Sequence, residues 1–261
     1  MNAMTRTALT AALVTVAAAS AATAQIPGMP LFTNPRYGSG FRIHADMGMD
    51  VNGDTKYSFA AAQVYQGGIT FAIGPVGIGA NVGVTKNDFQ GITQCQGGAN
   101  TCNPQTKATG SALAQLRLVG GGHQNGALSV FGGISADFSG YDSPEFQAYC
   151  PPGGFIPQAT CDSLGVKILT IPVGVAVGFK LGPAVVWGAP RYVFYKATNC
   201  TAAVQATLCD DKQNEFRYAV GADLPIFGVV AIRAAFDGGK FQGQNANRVG
   251  LGASVGFGGV H

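Results

Sequence analysis

Val76-Gly77-Ile78-Gly79-Ala80-Asn81-Val82-Gly83-Val84 alternates without a break: apolar side chains hold every second position, and glycine or asparagine the positions between. A period of two is that of an extended strand. Glycine at this density argues against a helix, since each interior glycine costs about 1 kcal/mol relative to alanine. One face of the strand is greasy and the other nearly bare, with no charged residue on either. A soluble sheet solvates its outer face with polar groups. This strand offers water nothing of the kind.

The same period recurs on both sides of it. Segments of strand length are expected at 40–51, 57–73, 75–86, 109–120, 127–139, 166–181, 184–197, 215–224, 228–237 and 247–258. Most reach the roughly nine to eleven residues that a tilted strand needs to cross a bilayer. In the first, Phe41, Ile43, Ala45, Met47, Met49 and Val51 oppose Arg42, His44, Asp46, Gly48 and Asp50. In the eighth, Phe216, Tyr218, Val220, Ala222 and Leu224 oppose Glu215, Arg217, Ala219, Gly221 and Asp223. The ninth sets Val230, Ile232, Ala234 and Phe236 against Ala231, Arg233 and Asp237; the last sets Val249, Leu251, Ala253, Val255 and Phe257 against Arg248, Gly250, Gly252, Ser254 and Gly256. The second and seventh are less regular, interrupted at Gln63, Gln66, Pro190 and Arg191, with a bulge expected there.

Connections sort into two alternating sets. Gly74-Pro75, Gly120 to Gly126, Leu181-Gly182-Pro183 and Leu224 to Phe227 read as tight or modest turns. Asn87 to Ala108, Gly140 to Gly165, Thr198 to Asn214 and Gly238 to Ala246 read as longer loops, with a short Asn52-Gly53-Asp54 turn on the same side. Short turns at one end and long loops at the other are the signature of an up-and-down barrel. The expected fold is therefore all-β: an antiparallel transmembrane β-barrel of about ten strands, within a range of roughly eight to twelve.

Composition agrees. Charged residues make up 11% of the 261-residue chain, against about 25% in ordinary soluble domains. No apolar run in the mature chain approaches the roughly 18 residues of a spanning helix. In hydrocarbon only helices and closed barrels satisfy every backbone N–H and C=O. The net charge of +3 is small and dispersed, which argues against a nucleic-acid partner. Residues 1–24 carry Arg6, a small apolar run from Ala8 to Ala22 and the cleavage-like Ala22-Thr23-Ala24, the pattern of a signal peptide. Residues 25–39, with Pro27, Pro30 and Pro35, form an irregular lead-in, and 40–261 the barrel. In an oxidising compartment the six cysteines are expected to pair. They fall as three close couples, Cys95/Cys102, Cys150/Cys161 and Cys200/Cys209, each within one long loop. None has zinc-site spacing, so neither metal nor other cofactor is expected.

On its signal segment, its glycine-rich strands and the closing Arg248-Val-Gly-Leu-Gly-Ala-Ser-Val-Gly-Phe257, the chain resembles the small bacterial outer-membrane β-barrels, OmpA-like and opacity-type porin-related. The resemblance covers nearly all of the mature chain. It implies outer-membrane lipid surroundings, assembly by the barrel assembly machinery, and a monomer whose loops meet a surface partner. Chains of that family end on an aromatic; here Phe257 is followed by Gly-Gly-Val-His261.

The ionisable residues are expected to face inward as one lumen network: Arg42, His44, Asp46, Asp50, Arg117, Asp137, Arg217, Asp223, Arg233 and Arg248. Charges enclosed in a narrow lumen must pair or be hydrated. His44 and Asp46 share a strand face and have the composition of a base and its orienting acid. A barrel-embedded enzyme, an omptin-like protease or a lipid-modifying one, is therefore an alternative. It calls for an acid/histidine cluster at one rim, whereas His44 sits mid-strand. A secreted, disulfide-stabilised soluble β-sandwich is another, and it calls for charged outward faces. Tyr57, Phe59, Phe71, Trp187, Tyr192, Phe194, Phe216, Tyr218 and Phe257 are candidates for interfacial aromatic girdles. The favoured role is non-enzymatic: structural, surface-interacting, or a narrow pore for small solutes.

Overall fold

The computed structural model of the chain describes residues 34–35, 39–53, 61–87, 106–120, 124–137, 167–198, 214–226, 228–241 and 244–257. The expected signal segment, all six cysteines, Tyr57 and Phe59 lie outside the described residues. Ten strands follow one another: β1 (Gly40–Gly53), β2 (Ala61–Ile73), β3 (Val76–Asn87), β4 (Thr106–Gly120), β5 (Gly126–Asp137), β6 (Lys167–Leu181), β7 (Ala184–Thr198), β8 (Asn214–Pro225), β9 (Val230–Phe241) and β10 (Gln244–Phe257). Each pairs antiparallel with its neighbour in sequence, and β1 pairs with β10 to close the ring. Closure leaves no strand edge unpaired, which is what an apolar surround requires.

Turn chemistry sets the hairpins. Gly74 and Gly182 have φ of 56° and 61° and each is followed by proline. Glycine first with φ positive and proline second is the arrangement of a II′ turn, whose twist matches the flanking strands. Both chain ends of the barrel share this short-turn end, because Phe41 pairs with Phe257 on one side and with Phe71 on the other.

Register departs from uniformity at Val51/Gly53 in β1, Ala61/Gln63 in β2 and Arg117/Val119 in β4. The irregularity expected in the seventh strand is absent: β7 keeps one register with β6 and β8, with Pro190 facing out and Arg191 in. β9 and β10 also run further than the sequence suggests. Only residues 242–243 separate them, where a loop from Gly238 to Ala246 was expected. The reason is packing: a Cβ on Gly238 would lie 2.8 Å from the Tyr218 ring, so this glycine seats an aromatic from the next strand.

Candidate functional site

Alternation along each strand divides the barrel into two chemical surfaces. Val82, Ile73, Phe216 and Phe179 are among the most exposed residues of the outer one, between 54% and 69%. In water so continuous an apolar surface would be an association or aggregation site. Aromatic residues gather toward its two ends. Phe41, Phe71, Phe179 and Phe257 lie toward the short turns, with the Phe41 and Phe257 rings stacked at 6.4 Å. Tyr65, Tyr192, Phe194, Phe216, Tyr218 and Phe236 lie toward the other end, Tyr192 and Phe194 edge to face at 5.4 Å. Among the described residues, no Asp, Glu, Lys or Arg occupies an outward position between the two bands. An apolar belt flanked by aromatic girdles is the lipid-facing surface of a membrane barrel. The chain is a transmembrane β-barrel.

The inner surface carries the polar groups, in three zones. Toward the short turns, the Asp223 carboxylate accepts from Asn34 Nδ2 at 2.6 Å and from Trp187 Nε1 at 3.5 Å, and lies 3.8 Å from Arg233 Nε, whose residue is its direct register partner. Arg42 is within electrostatic reach of Asp223 and Arg233. Toward the other end, Asp237 accepts from Arg191 Nη2 and, at 3.1 Å, from Arg217 Nη2; Arg217 Nη1 also donates to the Lys240 carbonyl at 2.9 Å. Arg191 and Arg217 are register partners on β7 and β8. Two like charges placed directly opposite repel, so the shared carboxylate is what holds them together. Arg248, buried, is opposite Asp50 on one side and Asp237 on the other.

Between these ends the wall differs around the ring. On the β1–β4 side His44 Nε2 and Asn81 Oδ1 are 2.5 Å apart, and Asn81 Nδ2 donates to Ser111 Oγ at 3.0 Å. The His44 and Asp46 side chains are nearly inaccessible and 3.7 Å apart. Among the described residues, neither carboxylate oxygen of Asp46 has a hydrogen-bond partner, nor do His44 Nδ1 and Gln66 Nε2. The opposite side is apolar. Phe131, Ala176, Trp187, Ala189, Ala219 and Ala235 form a buried cluster, with Leu113 packed against it. Phe131 lies over its cross-strand glycine, Gly174, and Trp187 over Gly221. Where a ring is this large, the neighbour opposite can have no side chain.

Of the ten residues assigned to a lumen network, Arg42, His44, Asp46, Arg217, Asp223, Arg233 and Arg248 line the interior in these separate zones. Asp50 and Asp137 are placed by backbone register alone, opposite Arg248 and Thr109. Arg117 stands apart from the others. It keeps the register position opposite inward Ser129, but its guanidinium donates to the Gly74 carbonyl at the short-turn rim, at 3.0 Å, and the register shift just beyond it leaves Leu118 and Val119 both exposed. The expected network left out Arg191 and Asp237, the heart of the cluster toward the long loops, although the alternation of the ninth strand already sets Asp237 on the polar face and parity along β7 points Arg191 inward. It also set Trp187 among the girdle aromatics, whereas this residue is 5% exposed inside the barrel.

No family model and no curated protein matches the chain. Among solved structures it is similar to the N-terminal β-barrel domain of Pseudomonas aeruginosa OprF, at 10% identity and a TM-score of 0.33 over 85% of this chain and 99% of that one. The translocator domain of the autotransporter NalP from Neisseria meningitidis gives 12% identity and 0.40, over 84% and 89%. An outer membrane channel of Pseudomonas putida F1 gives 6% and 0.46, over 88% and 100%. With TM-scores no higher than 0.46 among these three, the membrane assignment rests on the barrel's own surface chemistry.

Proposed function

We propose that this chain is a bacterial outer-membrane β-barrel with a filled interior, serving membrane integrity and presenting its longer connections at the cell surface. The short turns and both barrel termini would face the periplasm. One observation carries this reading: the buried apolar cluster of Leu113, Phe131, Trp187 and four alanines draws on β4 to β9, six of the ten strands, and replaces what would be the wet wall of a channel. A ten-stranded barrel is narrow enough for side chains to fill.

A narrow pore for small solutes is the second reading. It rests on the rest of the wall, where atoms of Asp46, His44 and Gln66 that have no partner among the described residues face a stretch containing Gly48, Gly250 and Gly252. Buried polar atoms of this kind call for water. A non-catalytic role is part of the proposal. It is supported by the engagement of His44 with Asn81 and by the depth at which His44 and Asp46 are buried, away from any rim where a macromolecular substrate would meet them.

Planar-bilayer recording of the purified, folded protein tests the reading. No conductance steps above baseline are expected. Reproducible small steps would replace the filled barrel with the narrow pore. Fractionation tests the address: recovery as a detergent-free soluble monomer would overturn both.

A further inference from the structure

Two residues that precede the barrel in sequence lie inside it. Asn34 is 7% exposed, and Pro35 is among the most deeply buried side chains of the protein. Asn34 donates to Asp223 on β8. Pro35 packs on β6, where a Cβ added to Gly178 would lie 2.9 Å from its Cγ and 3.5 Å from Trp187 Cβ. Ser39, by contrast, is at the rim on the far side, its Oγ accepting from the Gly74 backbone N–H at 3.2 Å. In a ring ordered β1-β10-β9-β8-β7-β6, β6 is five steps from β1 in either direction, the diametric position. Ser39 is four positions after Pro35, a reach of at most about 14 Å. Ser39 thus lies at one wall of the short-turn mouth, and Asn34 and Pro35 in the pocket on the opposite wall.

We infer that the lumen wall at Gly178, Trp187 and Asp223 is an internal docking site whose occupant is the Asn34-Pro35 pair that precedes the barrel in the protein's own sequence, seated toward the short-turn mouth. The site is built for this occupant in three respects. Gly178 leaves the space that the proline ring fills. Asp223, held by Arg233 and by the indole of Trp187, presents its second oxygen to the Asn34 amide. Proline has no backbone N–H to satisfy inside the barrel. The inference does not depend on whether the remainder of the lumen conducts.

Trp187 is the only tryptophan of the chain, so its fluorescence reports on this site alone. Acrylamide quenching of the folded protein in detergent provides the test, with heat-modifiable gel migration as the check of fold. The intact protein should quench weakly. Deletion of residues 26–36, Asn34→Asp, which sets a carboxylate against Asp223, and Gly178→Ala, which takes the space of Pro35, should each raise the quenching constant severalfold. Ser39→Ala, at the rim, should leave it unchanged. Folded deletion protein that quenches like the intact chain would overturn the inference. If the deletion prevents folding, equal quenching in folded Asn34→Asp and Gly178→Ala would overturn it as well. Conductance of the intact protein would refute the filled-barrel reading and leave this quenching result standing.

Discussion

Asp237→Asn removes one charge while keeping shape, and it should be the most damaging single conservative change in the interior. Arg191 and Arg217 are directly opposite on β7 and β8 and both donate to this carboxylate, each nearly inaccessible to water. Opposed side chains start from Cβ atoms about 5 Å apart. At an effective dielectric of about 20, two unit charges at that separation repel by roughly 3 kcal/mol, and each guanidinium–carboxylate contact at about 4 Å attracts by roughly 4 kcal/mol. The carboxylate therefore outweighs the repulsion it bridges, and without it two buried cations confront each other. Loss of one partner from a buried ion pair costs about 3–5 kcal/mol, and that is the expected loss for Asp237→Asn. Urea unfolding from lipid vesicles, followed by Trp187 emission and by heat-modifiable migration, measures it. Arg217→Met in the Asp237→Asn background should recover part of the loss, giving a coupling of about 1–3 kcal/mol in the double-mutant cycle. A single mutant within about 0.5 kcal/mol of the parent, the ordinary range for surface changes, would refute the electrostatic account of this cluster.

Val175→Arg, at the middle of the outward row of β6, should cost about 2–4 kcal/mol in the same vesicle assay, since it places a charge at mid-bilayer depth; a neutral result would mean that this face does not meet lipid. Gly221→Ala puts a methyl into the Trp187 ring and should destabilise by about 1–3 kcal/mol, with a shifted emission maximum as an independent readout. Gly182→Ala, at φ 61°, should cost about 1–2 kcal/mol from left-handed backbone strain alone and leave Trp187 emission untouched. Non-reducing peptide mapping should recover Cys95 with Cys102, Cys150 with Cys161 and Cys200 with Cys209; a bridge between two different loops would contradict local pairing.

Much of the fold was legible because a membrane barrel writes its two surfaces into alternate positions. The outward rows of β1, β3, β8, β9 and β10 read directly from the sequence, and most of the nine connections fell where turn residues placed them. What was hidden was non-local. Pro190 beside Arg191 looked like a broken pattern, yet accepting proline in an outward place restores parity and brings both Trp187 and Arg191 inside. Gly238 looked like loop because glycine weakens a strand taken alone; its role is set by a tyrosine on the neighbouring strand. Nothing local to Asn34-Pro35 tells that these residues re-enter the barrel, since their partners are 189 positions away in Asp223 and on β6. The rim contact of Arg117 was equally illegible, because its acceptor, the Gly74 carbonyl, lies 43 positions away in another hairpin.

The seam between β1 and β10 joins the first-made strand to the last, and hydrophobicity cannot check that it has zipped correctly. A slip by one residue would turn the greasy row inward and be rejected at once, but a slip by two leaves every outward residue outward. What distinguishes the true alignment is finer: Asp50 across from Arg248, Phe41 across from Phe257, and the carboxylate of Asp46 resting where Gly252 has no side chain. These few pairings act as a proofreading mark for the final suture, so substitutions along it should be felt first as misassembled or unclosed protein in the envelope, before any loss of stability in molecules that have closed.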